Sequence, residues 1–390
     1  MFSRKLKTGY FILEGLNSFG TVYYFFYFYF FMQKAFGFGN KANLALAALN
    51  GAIYALSALG GGKFAQRFGY FTALKLGYSI MLVALAAGTQ VGSANGQIAV
   101  MAVTIFGLCF VWPTLEALIS EGETREGIQH MIGVYNVVWA ATAASAYFSG
   151  GAMLDLLGLK SLFYVPMAIM IAQLALTLRL ESSAGPVTNA PDDAQPAAAK
   201  LLERQPAARA KSFLRMAWLA NPFAYIANNT MIALMPGVAM TLGLSTTLAG
   251  FCCSVWCFSR LGAFVGLWLW TGWHYRFRWL LSCYVALIAT FAVILMVPNL
   301  AAVVLAQVAF GAAMGLIYYS SLFYSMDIGE TKGEHGGIHE AAIGLGNFAG
   351  PAVGAASLYC LPNCANSGAL AVSGLLVLGL GGLVVIWRKG

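Results

Sequence analysis

The chain has 390 residues, 60% of them hydrophobic and 9% charged, with a formal net charge of +8. Soluble domains carry roughly 25% charged residues, so this surface cannot mainly face water. Apolar runs of about 20 residues recur throughout, long enough to cross a hydrocarbon core as helices, whereas lipid excludes open sheets and the runs lack barrel-like alternation.

The class is therefore an all-α polytopic membrane protein whose main partner is the lipid bilayer. A mean hydropathy of +0.74 agrees. The positive charge is not a nucleic-acid footprint, because it clusters at alternate segment ends. Arg4, Lys5 and Lys7 come first, then Lys63, Arg67 and Lys75, then Arg204, Arg209 and Lys211, then Arg276 and Arg278, and last Arg388 and Lys389. This positive-inside bias places both termini in the cytoplasm and requires an even number of spans.

In chain order the expected spans are 9–32, 42–62, 71–89, 97–120, 132–154, 161–179, 213–241, 248–270, 279–297, 300–324, 337–357 and 368–387. The first run is too long for a signal peptide and lacks a small-residue cleavage site, so it reads as a retained helix. Between the sixth and seventh spans lies the longest polar stretch, rich in Ala, Pro, Asp and Arg. It cannot bury a core and reads as a cytoplasmic linker, with room for a short helix near 197–204. The expected domains are a six-helix bundle at 1–180, the linker at 181–211 and a second six-helix bundle at 212–390.

The two halves look duplicated. Gly122-Glu123-Thr124-Arg125 follows the fourth span and Gly329-Glu330-Thr331-Lys332 follows the tenth. Asn17 in the first span has a counterpart in Asn221 of the seventh. Parallel repeats related by an axis along the membrane normal place a binding site at the midplane between them. Charges around the two Gly-Glu-Thr loops either pair across the cytoplasmic face or are simply solvated.

After the second span the chain reads Gly62-Lys63-Phe64-Ala65-Gln66-Arg67-Phe68-Gly69-Tyr70. This resembles the loop signature of the major facilitator superfamily, Gly-x-x-x-Asp-Arg-x-Gly followed by two basic residues. Gly62, Arg67 and Gly69 match. Gln66 stands at the Asp position, and Tyr70 and Phe71 at the basic pair. The resemblance implies twelve helices in two bundles and transport by alternating access. It also implies a conformational latch at this loop, here carried by Gln66 or other loop charges. The Gly350-Pro351 step resembles the antiporter signature that drug exporters of the superfamily carry in their fifth helix. Helix 5 here has Gly150-Gly151 instead, so that label is not transferred.

Ionisable side chains inside a bilayer cost roughly 2.5–3.5 kcal/mol each on insertion scales and usually face a cavity. This chain places Glu14 in span 1, Glu116 in span 4, Arg260 in span 8 and Glu340 in span 11. Spans 3, 6, 9 and 12 have no charge in their central stretches, and these are the peripheral helices of the superfamily. Glu14, Asn17, Thr21 and Tyr24 recur every three or four residues, an expected polar lining on helix 1. Most of the rings from Phe25 to Phe31 are expected to meet lipid or neighbouring helices. Glu14 reads as a proton-coupling carboxylate, or else as a group one turn deep that reaches cytoplasmic water.

Arg260 lies too deep to reach either surface and needs an anionic partner. That partner is either a structural carboxylate, with Glu116 and Glu340 as candidates in some conformations, or a substrate. Tyr135, Asn136 and Trp139 of helix 5 correspond to His339, Glu340 and Ile343 of helix 11. His339 titrates near neutral pH or serves as a hydrogen-bonder at the helix start. Asn228 is expected to face the cavity, with Asn229 capping a bend near Pro222 or Pro236. Trp112-Pro113 reads as a kink before Glu116. Cys253 and Cys257 share a face with Arg260 but read as small buried hydrophobes. Cys360 and Cys364 either form a disulfide or stay free, and with no His beside them they make no metal site.

The expected function is secondary active transport of a small polar or anionic organic solute, coupled to protons, in a bacterial inner membrane. No Gly-x-x-x-x-Gly-Lys-Ser/Thr loop is present, no cofactor is implied, and no clustered nucleophile or base suggests an enzyme. A monomer is expected. The competing readings are a proton-coupled exporter of drugs or lipophilic metabolites, and a non-transporting membrane binding protein or lipid scramblase.

Overall fold

The computed structural model describes residues 4–121, 125–184, 207–328 and 332–389. Among these residues the chain forms thirteen helices and no strand. In the first half they are α1 (Arg4–Phe36), α2 (Asn40–Phe68), α3 (Tyr70–Gly88), α4 (Ala94–Ser120), α5 (Arg125–Leu157) and α6 (Ser161–Ser183). The second half contains α7 (Ala207–Thr241), α8 (Thr246–Cys253), α9 (Val255–Leu269) and α10 (Phe277–Met296). It ends with α11 (Leu300–Ile328), α12 (Lys332–Cys360) and α13 (Ser367–Lys389).

Among the described residues eleven spans are long and apolar enough to cross a membrane, with α8 and α9 counting together as Thr246–Leu269. Helix α1 is the twelfth. At 33 residues it is about 50 Å long at 1.5 Å per residue. Its tyrosines, Glu14 and Asn17 lower its hydropathy, yet these side chains point inward. Tyr23, Tyr24, Tyr27, Glu14 and Asn17 are all buried.

Local sequence explains the helix ends. Ser93 accepts a hydrogen bond from the Gly96 amide, and Ser245 accepts one from the Leu248 amide, capping α4 and α8. Lys7 donates to the carbonyl oxygens of Ile119 and Glu121 at 2.7 Å each, so a lysine from α1 closes the C-terminus of α4. Ser254, at φ −91° and ψ −4°, separates α8 from α9 and turns its hydroxyl back to the Phe251 carbonyl.

Several expectations need correction. The stretch Gly62 to Arg67 is the last part of α2, not a loop, since the helix continues to Phe68. Gly69 alone, at φ 93°, turns the chain into α3, a conformation that disfavours any Cβ. Gln66 and Arg67 are exposed, and Arg67 lies 5.3 Å from the Phe68 ring. Helix α6 extends to Ser183 and α7 begins at Ala207, so both ends of the expected linker are helical. Its middle, including 197–204, lies outside the described residues. So do residues 122–124 and 329–331 of the paired Gly-Glu-Thr loops. Cys360 and Cys364 are exposed and not bonded to each other.

The halves meet along a few helix pairs: α2 with α12 and α7, and α5 with α8 and α9. Glycines allow the approach. A Cβ on Gly51 of α2 would lie 2.3 Å from the Asn347 backbone of α12, and one on Gly151 of α5 would lie 2.1 Å from the Thr246 carbonyl oxygen.

Candidate functional site: a bipolar cavity between the halves

A cavity of about 150 Å³ lies between the halves. Its walls come from α1, α2, α4 and α5 on one side and from α7, α9, α11 and α12 on the other. Helices α3, α6, α10 and α13 contribute nothing to it. The four charged residues of the central stretches, Glu14, Glu116, Arg260 and Glu340, all stand on helices that do contribute to it.

One wall holds Arg260. Its side chain is 4% exposed, and the guanidinium carbon sits 4.3 Å from the Trp139 ring centroid and 4.8 Å from that of Trp256. Trp139 is itself stacked near Phe264 and Tyr318, at centroid distances of 5.9 and 5.5 Å. Cation–π contacts of this kind contribute about 2 kcal/mol or more when desolvated, and they fix the plane of the guanidinium. The pairing with Glu116 or Glu340 is not made in this conformation. Among the described residues Arg260 makes no ion pair, and its Nε has no hydrogen-bond partner. Buried charges are normally paired, so this one leaves a place for an anion.

The other pole is acidic. Glu340 of α12 accepts a hydrogen bond from the Tyr54 hydroxyl of α2, a contact between the two halves. Glu116 of α4 lines the same cavity and senses the charge of both Glu340 and Glu14. Glu14 itself is fully buried and lies behind the lining, accepting from the Ser18 hydroxyl at 2.7 Å. Trp112 and Tyr135 also face its carboxylate, although Oε2 has no fully formed hydrogen bond. In this conformation Glu14 does not reach cytoplasmic water. Tyr225 and Tyr318 also line the cavity, their ring centroids 6.4 Å apart.

The other residues expected at the site distribute as follows. Trp139, Asn228 and Thr21 line the cavity. Asn229 lines it too, and its amide donates to the Asn347 carbonyl at 2.9 Å, so it ties α7 to α12 and does not cap a bend. Tyr24 does not line the cavity. It packs against Phe28 and Phe163, because a helical stripe this long drifts away from one fixed wall. Phe25 and Phe26 face the cavity in its place. Asn17 and Asn136 are fully buried outside the lining, with neither amide hydrogen-bonded. Gly62, Gln66 and Arg67 lie in the last two turns of α2 and Gly69 at the α2–α3 turn, and none of them lines the cavity. The side chain of His339 lies outside the described residues. Cys253 and Cys257 are fully buried and do not line the cavity.

Sequence reasoning missed Tyr54, Trp256, Asn50, Tyr225 and Asn347. Trp256 was within reach of it, one helical turn before Arg260. The others carried no signal, since a chain with 18 Tyr, 27 Phe and 9 Trp offers aromatics on every helix.

Comparison with known proteins agrees with this architecture. Solved structures similar to it include a point variant of the nucleoside transporter NupG, at TM-score 0.70 and 15% identity. The match covers 98% of this chain and 99% of that one. An inward-facing bacterial homolog of the human lysosomal transporter Spinster matches at TM-score 0.64 and 15% identity, covering 98% of this chain and 94% of that one. No curated protein matches the chain by sequence. The Major Facilitator Superfamily family model matches residues 10–351, and the chain belongs to that superfamily of membrane transporters.

Proposed function

We propose that this secondary transporter moves a small polar or anionic organic solute in exchange or symport with protons. The observation that carries the reading is Arg260, held between two tryptophans on the cavity wall with no carboxylate of its own. An anionic group of the solute supplies the missing partner. Glu14, Glu116 and Glu340 form a cluster that can hold protons, and Glu14 is the first candidate because it is buried behind the lining. A fixed guanidinium in the wall disfavours cationic drugs, which sets this reading above the exporter alternative.

In the same proposal, residues 1–180 and 212–390 are the two moving bundles, 181–211 the linker, and both termini are cytoplasmic. The protein works as a monomer in a bacterial inner membrane, without a cofactor and without enzymatic chemistry.

The test is uptake into proteoliposomes across an imposed pH gradient, with labelled lactate, gluconate and 4-hydroxybenzoate as probes. At least one probe should accumulate with the gradient. Glu14→Gln should remove the dependence on the gradient, and Arg260→Ala should abolish uptake. Uptake that ignores both the gradient and both substitutions sinks the proposal.

A further inference from the structure

We infer that the solute is bipolar: a small molecule with a carboxylate for Arg260, a protonated amine for the Glu116–Glu340 pole, and a flat or branched apolar body between them. This rests on the anion-binding reading of Arg260 and adds the other two parts of the molecule.

The cavity has charge of opposite sign at two separate places. Arg260 stands on α9, and Glu340 and Glu116 stand on α12 and α4. They are not paired with one another, although an ion pair would be the cheapest way to bury them. Glu340 instead takes a tyrosine hydroxyl and Arg260 takes two indole faces. Tyr225 and Tyr318 line the same cavity, with Tyr318 stacked 5.5 Å from the Trp139 ring. A monoanion would satisfy one end and leave the acidic end facing an apolar tail. An ammonium at that end is attracted to both carboxylates, and Glu14 remains behind Trp112 and Tyr135 for the proton.

The middle of the cavity suits a compact hydrophobic body. Phe25, Phe26, Ile105, Leu108 and Ile232 line it. A cavity of about 150 Å³ is on the order of one that accommodates a single benzene ring. Asn228 lines the same cavity, and its buried Oδ1 has no hydrogen-bond partner. An amino acid-like zwitterion has this set of features.

The experiment uses two matched triads on the purified full chain, read by ligand-induced shift of the unfolding temperature and by titration. In the first, L-phenylalanine carries both charges, 3-phenylpropionate only the carboxylate and phenethylamine only the amine. The second places the charges farther apart: 4-(aminomethyl)benzoate, 4-methylbenzoate and 4-methylbenzylamine. In at least one triad the bipolar member should bind at least about tenfold more tightly than both singly charged members, as two charge pairs require. Glu340→Gln should bring its affinity toward that of the carboxylate alone, and Arg260→Gln should bring it toward that of the amine alone.

If the carboxylate-only member equals the bipolar one in both triads, the bipolar inference falls while the anion reading stands. Should no carboxylate-bearing member bind in either triad, both fall.

Discussion

A guanidinium removed from water must find something to replace it, and Arg260 finds two indole faces. A lysine in its place would keep the charge but lose the plane that stacks on Trp139 and Trp256 and presents a fork to a carboxylate. Arg260→Lys should therefore lower uptake of the transported solute by about tenfold or more. The unfolding temperature should stay close to that of the parent, and near-parental uptake would show that charge alone suffices. Tyr54→Phe tests the other pole. It strips Glu340 of its only side-chain donor among the described residues, and such losses cost about 1–3 kcal/mol for a buried group. The unfolding temperature should drop measurably, and an unchanged one would mean that the bond contributes little. Arg260, Trp139 and the three glutamates were legible in the sequence because charge in an apolar run stands out at once. Tyr54 and Trp256 were not, since their role depends on which helix lies opposite.

At the scale of helices, glycine decides how closely pairs approach. A Cβ on Gly61 of α2 would come within 1.9 Å of the Cys109 carbonyl oxygen of α4, inside one half. One on Gly51, farther up the same helix, would meet the α12 backbone in the other half at 2.3 Å. The two substitutions should therefore differ in kind. Gly61→Ala overpacks a contact within one half and should destabilise the fold by about 1–3 kcal/mol, visible as a lower unfolding temperature. Gly51→Ala pushes the halves apart at one place, so it should change the thiol-labelling rate of a cysteine placed at Asn347 while costing less stability. Equal loss of stability without any change in labelling would refute the distinction. The spans themselves were readable from hydropathy, and the helices fall where the apolar runs do. What the sequence concealed was the ends. Helix α5 starts at Arg125, earlier than its apolar run, because polar residues continue a helix once it is packed. The break at Ser254 has no glycine or proline to announce it.

For the whole molecule, alternating access requires that contacts between the halves be strong enough to hold one end and weak enough to release it. Asp155 near the C-terminus of α5 is such a contact. Its Oδ1 accepts from Lys34 of α1 at 3.0 Å, while Oδ2 accepts from the Thr247 amide and hydroxyl at 2.9 Å each. A carboxylate from one half thus caps the N-terminus of α8 in the other. The ion pair is partly exposed, with side-chain exposures of 41% and 30%, so it contributes at most about 1 kcal/mol. The cap adds about 1 kcal/mol more. Lys34 and Asp155 belong to the same half, so the pair positions the carboxylate and the cap alone biases the equilibrium between the two states, by roughly fivefold, enough to favour one end closed without locking it. Asp155→Ala should therefore shift the protein toward the state open at this end. Spin labels on Leu156 and Thr246 would report it as a larger share of long distances, and Asp155→Asn, which keeps an acceptor for Thr247 but loses the charge, should lie between. Identical distance distributions in all three proteins would mean that this end is held by the glycine contacts alone.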